Sequence, residues 1–504
     1  MKLKEVEKYI AKFISKKDIN NEENKKELED KLLDLIKNDD DLLIKTNKMN
    51  RNLGMLCAEL GLERVVLYIL DNHQASTQKD YYGKNIGMIA ARNGLKEATL
   101  KALDNGFAST QQDVDDYNIG MYAAMNRFEE GALKALDNEE AAVQQNKFGY
   151  NIGMIAAERK LENVSLKALD NEKASLQQNK YLDNIGMLSA RFKLEKAVIK
   201  ALENQEASLQ QGEKGYNIGM FAARNGLKEA TLKALDNEEA SLQQNMFDYN
   251  IGMIAGFMGM EDAVLKALDN TEASFQQNNN GYNIGMIAAQ KKLEKATLKA
   301  LDSVEASFQQ NYLGLNIGMI AAKNGMEEAT LKALKNIFAS ILQDANDYNI
   351  GMHAAESKLK NATIEALKNH KASTEKSIYG ENIGMIAAKN GLEEATLKAL
   401  DNKEASVQQD ISGNNIGMNA AKSKLEEATL KALDNKEASV QQNKWGWNIG
   451  MFAANNRLEL ATNKSLKNEE ASLQKNAQNQ TIASIYENNK KASKNEEYEK
   501  MLTK

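Results

Sequence analysis

Asn85-Ile86-Gly87-Met88-Ile89-Ala90-Ala91-Arg92-Asn93-Gly94-Leu95 opens a pattern that decides the fold. Its first four residues return every 33 residues, at Asn118, Asn151, Asn184, Asn217, Asn250, Asn283, Asn316, Asn349, Asn382, Asn415 and Asn448. A variant, Asn52-Leu53-Gly54-Met55, stands one period earlier, so thirteen copies run without insertion or deletion. A fixed period in this range marks a stacked repeat array rather than a globule around a buried pocket. The prior of several domains for 504 residues therefore gives way to one quasi-linear array.

Within the unit from Asn85 to Tyr117, Asn85 predicts an N-cap, because its side-chain oxygen can accept an orphan N–H of the first turn. Ile86 to Asn93 reads as a short helix with the small pair Ala90-Ala91 at its centre, and Gly94 suits a left-handed stop. A second helix is predicted from about Leu95 to Leu103, with Leu95, Ala98 and Ala102 on one face. Glu97/Lys101, Glu229/Lys233, Glu328/Lys332, Glu394/Lys398 and Glu427/Lys431 are spaced as helical ion pairs on a solvated face. Asn105 is expected to end the second helix in the left-handed conformation, and Ala108 to Asp113 to cross to the next unit. Both helices are too short to stand alone, so each unit must be held by its neighbours.

A four-residue tip precedes each Asn. Its third position is Gly83, Gly149, Gly215, Gly281, Gly314, Gly380, Gly413 or Gly446, or Asp116, Asp248 or Asp347; Leu182 alone departs from this. Gly and Asp tolerate the positive φ of a tight turn.

The unit resembles the ankyrin repeat. Gly281, Asn283-Ile284-Gly285-Met286 and Ala288-Ala289 occupy the places of the ankyrin Gly, Thr-Pro-Leu-His and Ala-Ala, and Gly325, Ala329, Leu331 and Leu334 match its second half. The resemblance covers roughly residues 29 to 484. It implies an all-α, ankyrin-type solenoid of about thirteen helix-turn-helix repeats with short β-turn tips and helical caps. Ile stands in place of the helix-starting Pro. Gly replaces a core Leu at a helical position where it lowers helix propensity by about 1 kcal/mol unless backbones approach closely there. Met replaces the hydrogen-bonding His. Arg127, Lys160, Lys193, Lys292, Lys358, Lys424 and Arg457 replace the Gly between the two helices. A helical-hairpin solenoid of HEAT or tetratricopeptide type is the alternative, and the Gly/Asp tips argue against it.

The ends differ from the array. Residues 1–28 read as an N-terminal amphipathic helix followed by a polar stretch from Asp18 to Glu27; 29–480 form the array; 481–504 read as a polar C-terminal cap helix. Leu3, Val6, Ile10 and Phe13 form an apolar stripe flanked by lysines, expected to cap the stack, with docking on a partner or anionic membrane as the alternative. Asn463 stands where Leu397 and Leu430 do, and Ser465 replaces Ala432, as a water-facing cap requires.

Composition narrows function further. The net charge of −6 gives no field for nucleic acid. The single Cys57 excludes an intrachain disulfide and reads as a small core residue. His73, His353 and His370 lie in different units, with no metal-ligand spacing. The recurring Met reads as packing rather than a soft-metal site. No cofactor or metal is expected. No apolar run is long enough for a membrane span, and the first residues lack a secretory core. A cytoplasmic, monomeric protein is expected, with leaderless secretion to a host as the other route.

The variable positions gather at the tips. Tyr117, Tyr150, Tyr216, Tyr249, Tyr282, Tyr348 and Trp447 directly precede the Asn, and Tyr82, Phe148, Tyr181, Phe247, Tyr379 and Trp445 stand two residues earlier. The edge of the first helix carries Arg92, Arg191, Arg224, Lys323, Lys389 and Lys422. Aromatic residues dominate interface hot spots, so these residues are the candidate protein-binding site, suited to an acidic segment; stacking of the rings from tip to tip is the plain structural alternative. In ankyrin-like proteins partners dock on the concave face of tips and first-helix edges. The resemblance thus implies a non-catalytic scaffold for protein–protein interaction, of the sort that often serves as a host-interaction factor. The second reading is a structural spacer or elastic rod without a specific ligand. An enzyme is not expected, because no nucleophile–base pair, phosphate loop or metal cluster is present in the sequence.

Overall fold

The computed structural model describes residues 2–491, in two compact units, Met1–Met246 and Phe247–Lys504. Among the described residues every regular element is helical, and no helix is long and apolar enough to cross a membrane. Each unit is built from helical repeats that pack on their sequence neighbours.

In the first unit, Leu3–Ile14 buries Leu3, Val6, Ile10 and Phe13 against the start of the array, as a cap does. The helix Glu22–Asn38 begins inside the polar stretch and crosses residue 28, where the sequence suggested a boundary. A short 3-10 turn, Asp40–Leu43, leads into the repeats. The second unit ends with a helix over 482–491, whose Ile482 and Ile485 are buried; the rest of the expected cap, 492–504, lies outside the described residues.

Each repeat holds three helices rather than two. In the first unit these are Ile86–Arg92, Lys96–Leu103 and Gly106–Thr110; in the second unit, Ile317–Lys323, Glu327–Leu334 and Ile337–Ile341. The third is a single turn. Asn105 is its N-cap, with φ −83° and a side chain accepting from Ala108 N–H. The left-handed stop expected at Asn105 is therefore not formed. Asn caps with its side chain, and a residue so engaged keeps extended backbone.

The recurring tetrapeptide is a lock between repeats. Asn85, Ile86 and Met88 are fully buried. Asn85 Oδ1 accepts from Met88 N–H at 2.9 Å. Its Nδ2 donates to Ala108 O and Gln111 Oε1, both at 2.9 Å. Gln111 Nε2 in turn donates to Thr77 O of the preceding repeat at 2.8 Å. The Gly and the Ile work as hole and knob. A Cβ on Gly87 would sit 2.5 Å from Ile119 Cδ1 and 2.7 Å from Ala102 Cβ. The Ile of each repeat thus fills the hollow over the Gly of the one before, and the two departures from the ankyrin pattern compensate each other.

Polar bonds add to the lock. Leu95, the N-cap of the second helix, offers no side-chain cap; Glu63 Oε1 of the preceding repeat accepts from Ala98 N–H at 3.1 Å instead. Glu327 does the same for Asn361 N–H at 2.8 Å. The second-helix lysines reach Asp side chains one repeat back, Lys101 to Asp71 at 2.8 Å, Lys332 to Asp302 and Lys431 to Asp401 at 2.6 Å. Lys233 and Lys398 turn to Asp236 and Asp401 of their own repeats. These contacts take the place of the expected Glu–Lys pairs within one helix. The turn between first and second helices holds positive φ both at Gly94 (76°) and at Arg127 (57°), Lys292 (57°) and Lys358 (59°), so the basic replacements keep the glycine's geometry.

Candidate functional site

The tips are closed by a residue that the sequence reading passed over. Asp80 Oδ1 accepts from Tyr82 N–H at 2.9 Å and Lys84 N–H at 2.8 Å, and Asn443 Oδ1 likewise binds the N–H groups of Trp445 and Trp447. An acceptor of this kind fixes a turn. Gly83 N–H donates back to Asp80 O at 2.9 Å, and Val114 N–H donates to Tyr82 O of the neighbouring tip at 3.0 Å. Leu182, the residue that breaks the Gly/Asp pattern, still holds φ 62°. The aromatic side chains are therefore carried on a tightly bonded backbone.

The two aromatic positions have different fates. Tyr82, Phe148, Tyr181, Phe247, Tyr379 and Trp445 are exposed, Trp445 at 54 %. Tyr117, Tyr150, Tyr216, Tyr249, Tyr282, Tyr348 and Trp447 are half-buried. Several of the latter pack on the fourth residue of the first helix that directly follows them. Tyr117 lies 5.4 Å from Tyr122, Tyr216 5.1 Å from Phe221, Tyr348 5.2 Å from His353 and Trp447 4.8 Å from Phe452. Tyr249 meets Phe257 at 5.5 Å. These pairs are ring on helix. The partner position is masked in the sequence because Ile or Leu fills it in most repeats.

In the first unit, Tyr117, Phe148, Tyr150 and Tyr181, from three successive tips, line a groove of about 220 Å³ with Met125 and Glu158. Burial, with Glu158 nearby, pushes the Tyr150 phenol up. A second groove, about 350 Å³, lies between Arg191, Tyr216, Phe221 and Arg224. Arg191 lies 5.0 Å over Phe221, and Arg224 5.6 Å over Tyr216. Arg191 also pairs with the buried Asp183 at 3.0 Å; among the described residues Arg92 and Arg224 form no ion pair.

In the second unit, Lys422 sits 4.5 Å over Phe452 and donates to Asn414 Oδ1 at 2.9 Å; burial holds its ammonium below the usual lysine range. Lys389 is engaged by Glu381 and Asp410. Lys323 forms no ion pair among the described residues. His353 is buried, its Nε2 2.9 Å from Asp344 Oδ2, and burial lowers its pKa against the opposing pull of Asp344. Tyr122 makes the same bond to Asp113 Oδ2 at 2.6 Å in the first unit.

The structure thus gathers the aromatic and basic candidates onto neighbouring tips and first-helix edges within each unit, and commits Arg191 and Lys389 partly to internal pairs. Cys57 lies buried in the core, its thiol pushed up by desolvation. Compared with protein-family models and with curated proteins, the chain matches none.

Proposed function

We propose that this chain is a non-catalytic, ankyrin-like scaffold that captures an acidic segment of a partner protein on its tips and first-helix edges. The observation that carries this reading is the laying of cations over aromatic rings at the grooves: Arg191 over Phe221, Arg224 over Tyr216 and Lys422 over Phe452. Rings of this kind give contact area at low entropic cost, and guanidinium groups beside them offer paired donors to carboxylates. Tyr181 and Trp445 are exposed on tips of the same units.

A structural spacer is the second reading. The uniformity of the lock between repeats favours it, since the same Asn, Gln, Ile and Gly contacts recur at junction after junction. The test compares the full chain with a Trp445→Ala/Tyr181→Ala/Arg224→Ala variant in pull-downs with mass-spectrometric identification, with circular dichroism on both. These side chains are exposed, so the variant should melt with the parent. A partner with an acidic stretch, bound by the parent in a salt-sensitive way and lost by the variant, supports the scaffold. Equal capture by both, or none by either, moves the spacer reading ahead.

A further inference from the structure

The third helices form a ridge in the second unit, and one part of it is unlike the rest. Val304–Phe308, Ile337–Ile341 and His370–Thr374 lie side by side. Asn336 Nδ2 donates to Ser307 Oγ at 2.7 Å, and Asn369 Nδ2 to Ser340 Oγ at 3.0 Å, which ties the three together. The first two positions of such a helix are elsewhere mostly charged, as in Glu139-Glu140, Glu238-Glu239, Lys436-Glu437 and Glu469-Glu470. Here they are Val304-Glu305 and Ile337-Phe338, with Val304, Ile337 and Phe338 exposed at 63 %, 69 % and 72 % and Glu305 the one charge kept. Phe308 closes the patch from the end of its helix, also exposed. The fold does not use these side chains: Ala339 and Ser340 make the inward contacts of that turn, and Glu at the same places serves the other repeats.

The charge changes at the same spot. The Asp that usually precedes the capping Asn, as in Asp269 and Asp401, becomes Lys335 and Lys368. Lys368 turns to Glu365 at 2.5 Å and the exposed His370 lies 3.9 Å from Glu404, while among the described residues Lys335 and Lys371 form no direct ion pair, Lys371 only feeling the charge of Glu375. Two carboxylates have gone and two ammonium groups have arrived beside four projecting apolar side chains. A second copy of the chain, docked face to face about a two-fold axis, would bring Lys335 and Lys371 against their own kind. An anionic surface would meet them with opposite charge.

We propose that this ridge docks on an anionic lipid surface. Val304, Phe308, Ile337 and Phe338 enter the boundary between headgroups and acyl chains, and Lys335 and Lys371 meet the lipid phosphates and carboxylates. The contact is peripheral, and it is independent of the tip face.

The test is co-sedimentation of the full chain with vesicles of phosphatidylcholine alone, and with vesicles in which about a third of the lipid is phosphatidylserine. Ile337→Glu/Phe338→Glu installs the pair that Glu238-Glu239 already show to be compatible with the turn, and Lys335→Asp restores the usual residue; thermal melts verify that both fold. The parent should bind the anionic vesicles and not the neutral ones. The Glu pair should lower its partition by at least about tenfold. Lys335→Asp should lower it by about fivefold, an effect that added salt removes. No binding by the parent, or equal binding by a folded Glu-pair variant, overturns the proposal. A parent that dimerises, with a monomeric Glu-pair variant and no vesicle binding by either, also overturns it, since the patch is then a face between two copies.

Discussion

Replacing Gly318 by Ala sets two magnitudes against each other. Helix propensity favours Ala over Gly by about 1 kcal/mol. The added Cβ, however, would stand 2.6 Å from both Ala333 Cβ and Ile350 Cδ1, and overpacking of this kind costs about 1–3 kcal/mol. Neither neighbour is a free side-chain end, because Ile350 and Ala333 are both core. We therefore expect Gly318→Ala to lower the urea midpoint. Ile350→Val removes the Cδ1 and should be less harmful in the Gly318→Ala background than alone, a positive coupling that a double-mutant cycle reads directly. An additive cycle would show that Gly is there for another reason. His353 gives a second test. Burial depresses its pKa below 6.5, opposed by Asp344, while Lys323 adds to the depression and Glu356 lies 3.9 Å from Nδ1. A base whose folded pKa is lowered binds more protons when unfolded, so its contribution is complete above 6.5 and is lost as pH falls from there toward the folded pKa. Tyr fills the same slot at Tyr122 and reaches the tip acid without titrating in this range. Between pH 7.5 and about 5, the melting temperature of His353→Tyr should fall less than that of the parent; parallel curves would sink the assignment.

At the scale of an element, the N-cap Asn does more than cap. Asn283 accepts from Met286 N–H and donates to Ala306 O at 3.0 Å and Gln309 Oε1 at 2.8 Å. An ordinary cap is worth about 1 kcal/mol, and a buried group left without a partner costs about 1–3 kcal/mol more. Asn283→Ser keeps the cap acceptor and loses both donors; Asn283→Ala loses all three bonds. Both should be destabilised, Ala by about 1 kcal/mol more than Ser, as measured by chemical denaturation. Equal losses would mean that the cap itself contributes nothing. The capping role of this Asn was legible in the sequence because an N-cap is local. So was the left-handed stop at Gly94. The third helix was not read, although Asn105 stands three residues before Ala108, the spacing of a cap. The same Asn also suits a left-handed stop, and a five-residue turn has no periodicity with which to decide between them. The inter-helix Arg and Lys looked like departures, yet they hold φ near 60°, where a side chain costs about 1–2 kcal/mol relative to Gly. Lys292→Gly should accordingly raise the melting temperature slightly, offset in part by the freer unfolded chain. The candidate tips were legible as positions, because they vary while the rest of the repeat does not. That their rings pack on the fourth residue of the first helix was hidden because Ile or Leu stands there in most repeats.

For the molecule as a whole, the spacing of the contacts matters more than their strength. The knob of Ile317 over Gly285, the Glu-to-backbone cap from Glu261 to Lys295, the Lys299–Asp269 pair and the bond from Gln309 to Phe275 each join one repeat to its immediate neighbour. Contacts within a repeat, such as Asn283 to Ala306, close over shorter spans. Few of these bonds are individually large; the exposed Lys–Asp pairs contribute about 0–1 kcal/mol each. Their sum at each junction is what holds short helices that could not persist alone. Stability in such an array is a sum over repeats and interfaces. Removing residues 283–315 would join Tyr282 to Asn316 in register. Ile317 would then fill the hollow over Gly252 that Ile284 fills now, and each bond would find the equivalent partner. We expect this deletion variant to fold, with unchanged helicity per residue by circular dichroism and a lower denaturation midpoint. Removing 283–303 instead leaves the helix Val304–Phe308 without its cap Ser303 and puts Val304 where an Asn cap is required. It should lose helicity and broaden the transition. If both deletions behaved alike, the contacts between repeats would not be the source of the fold's stability, and the strict period in the sequence would need another cause.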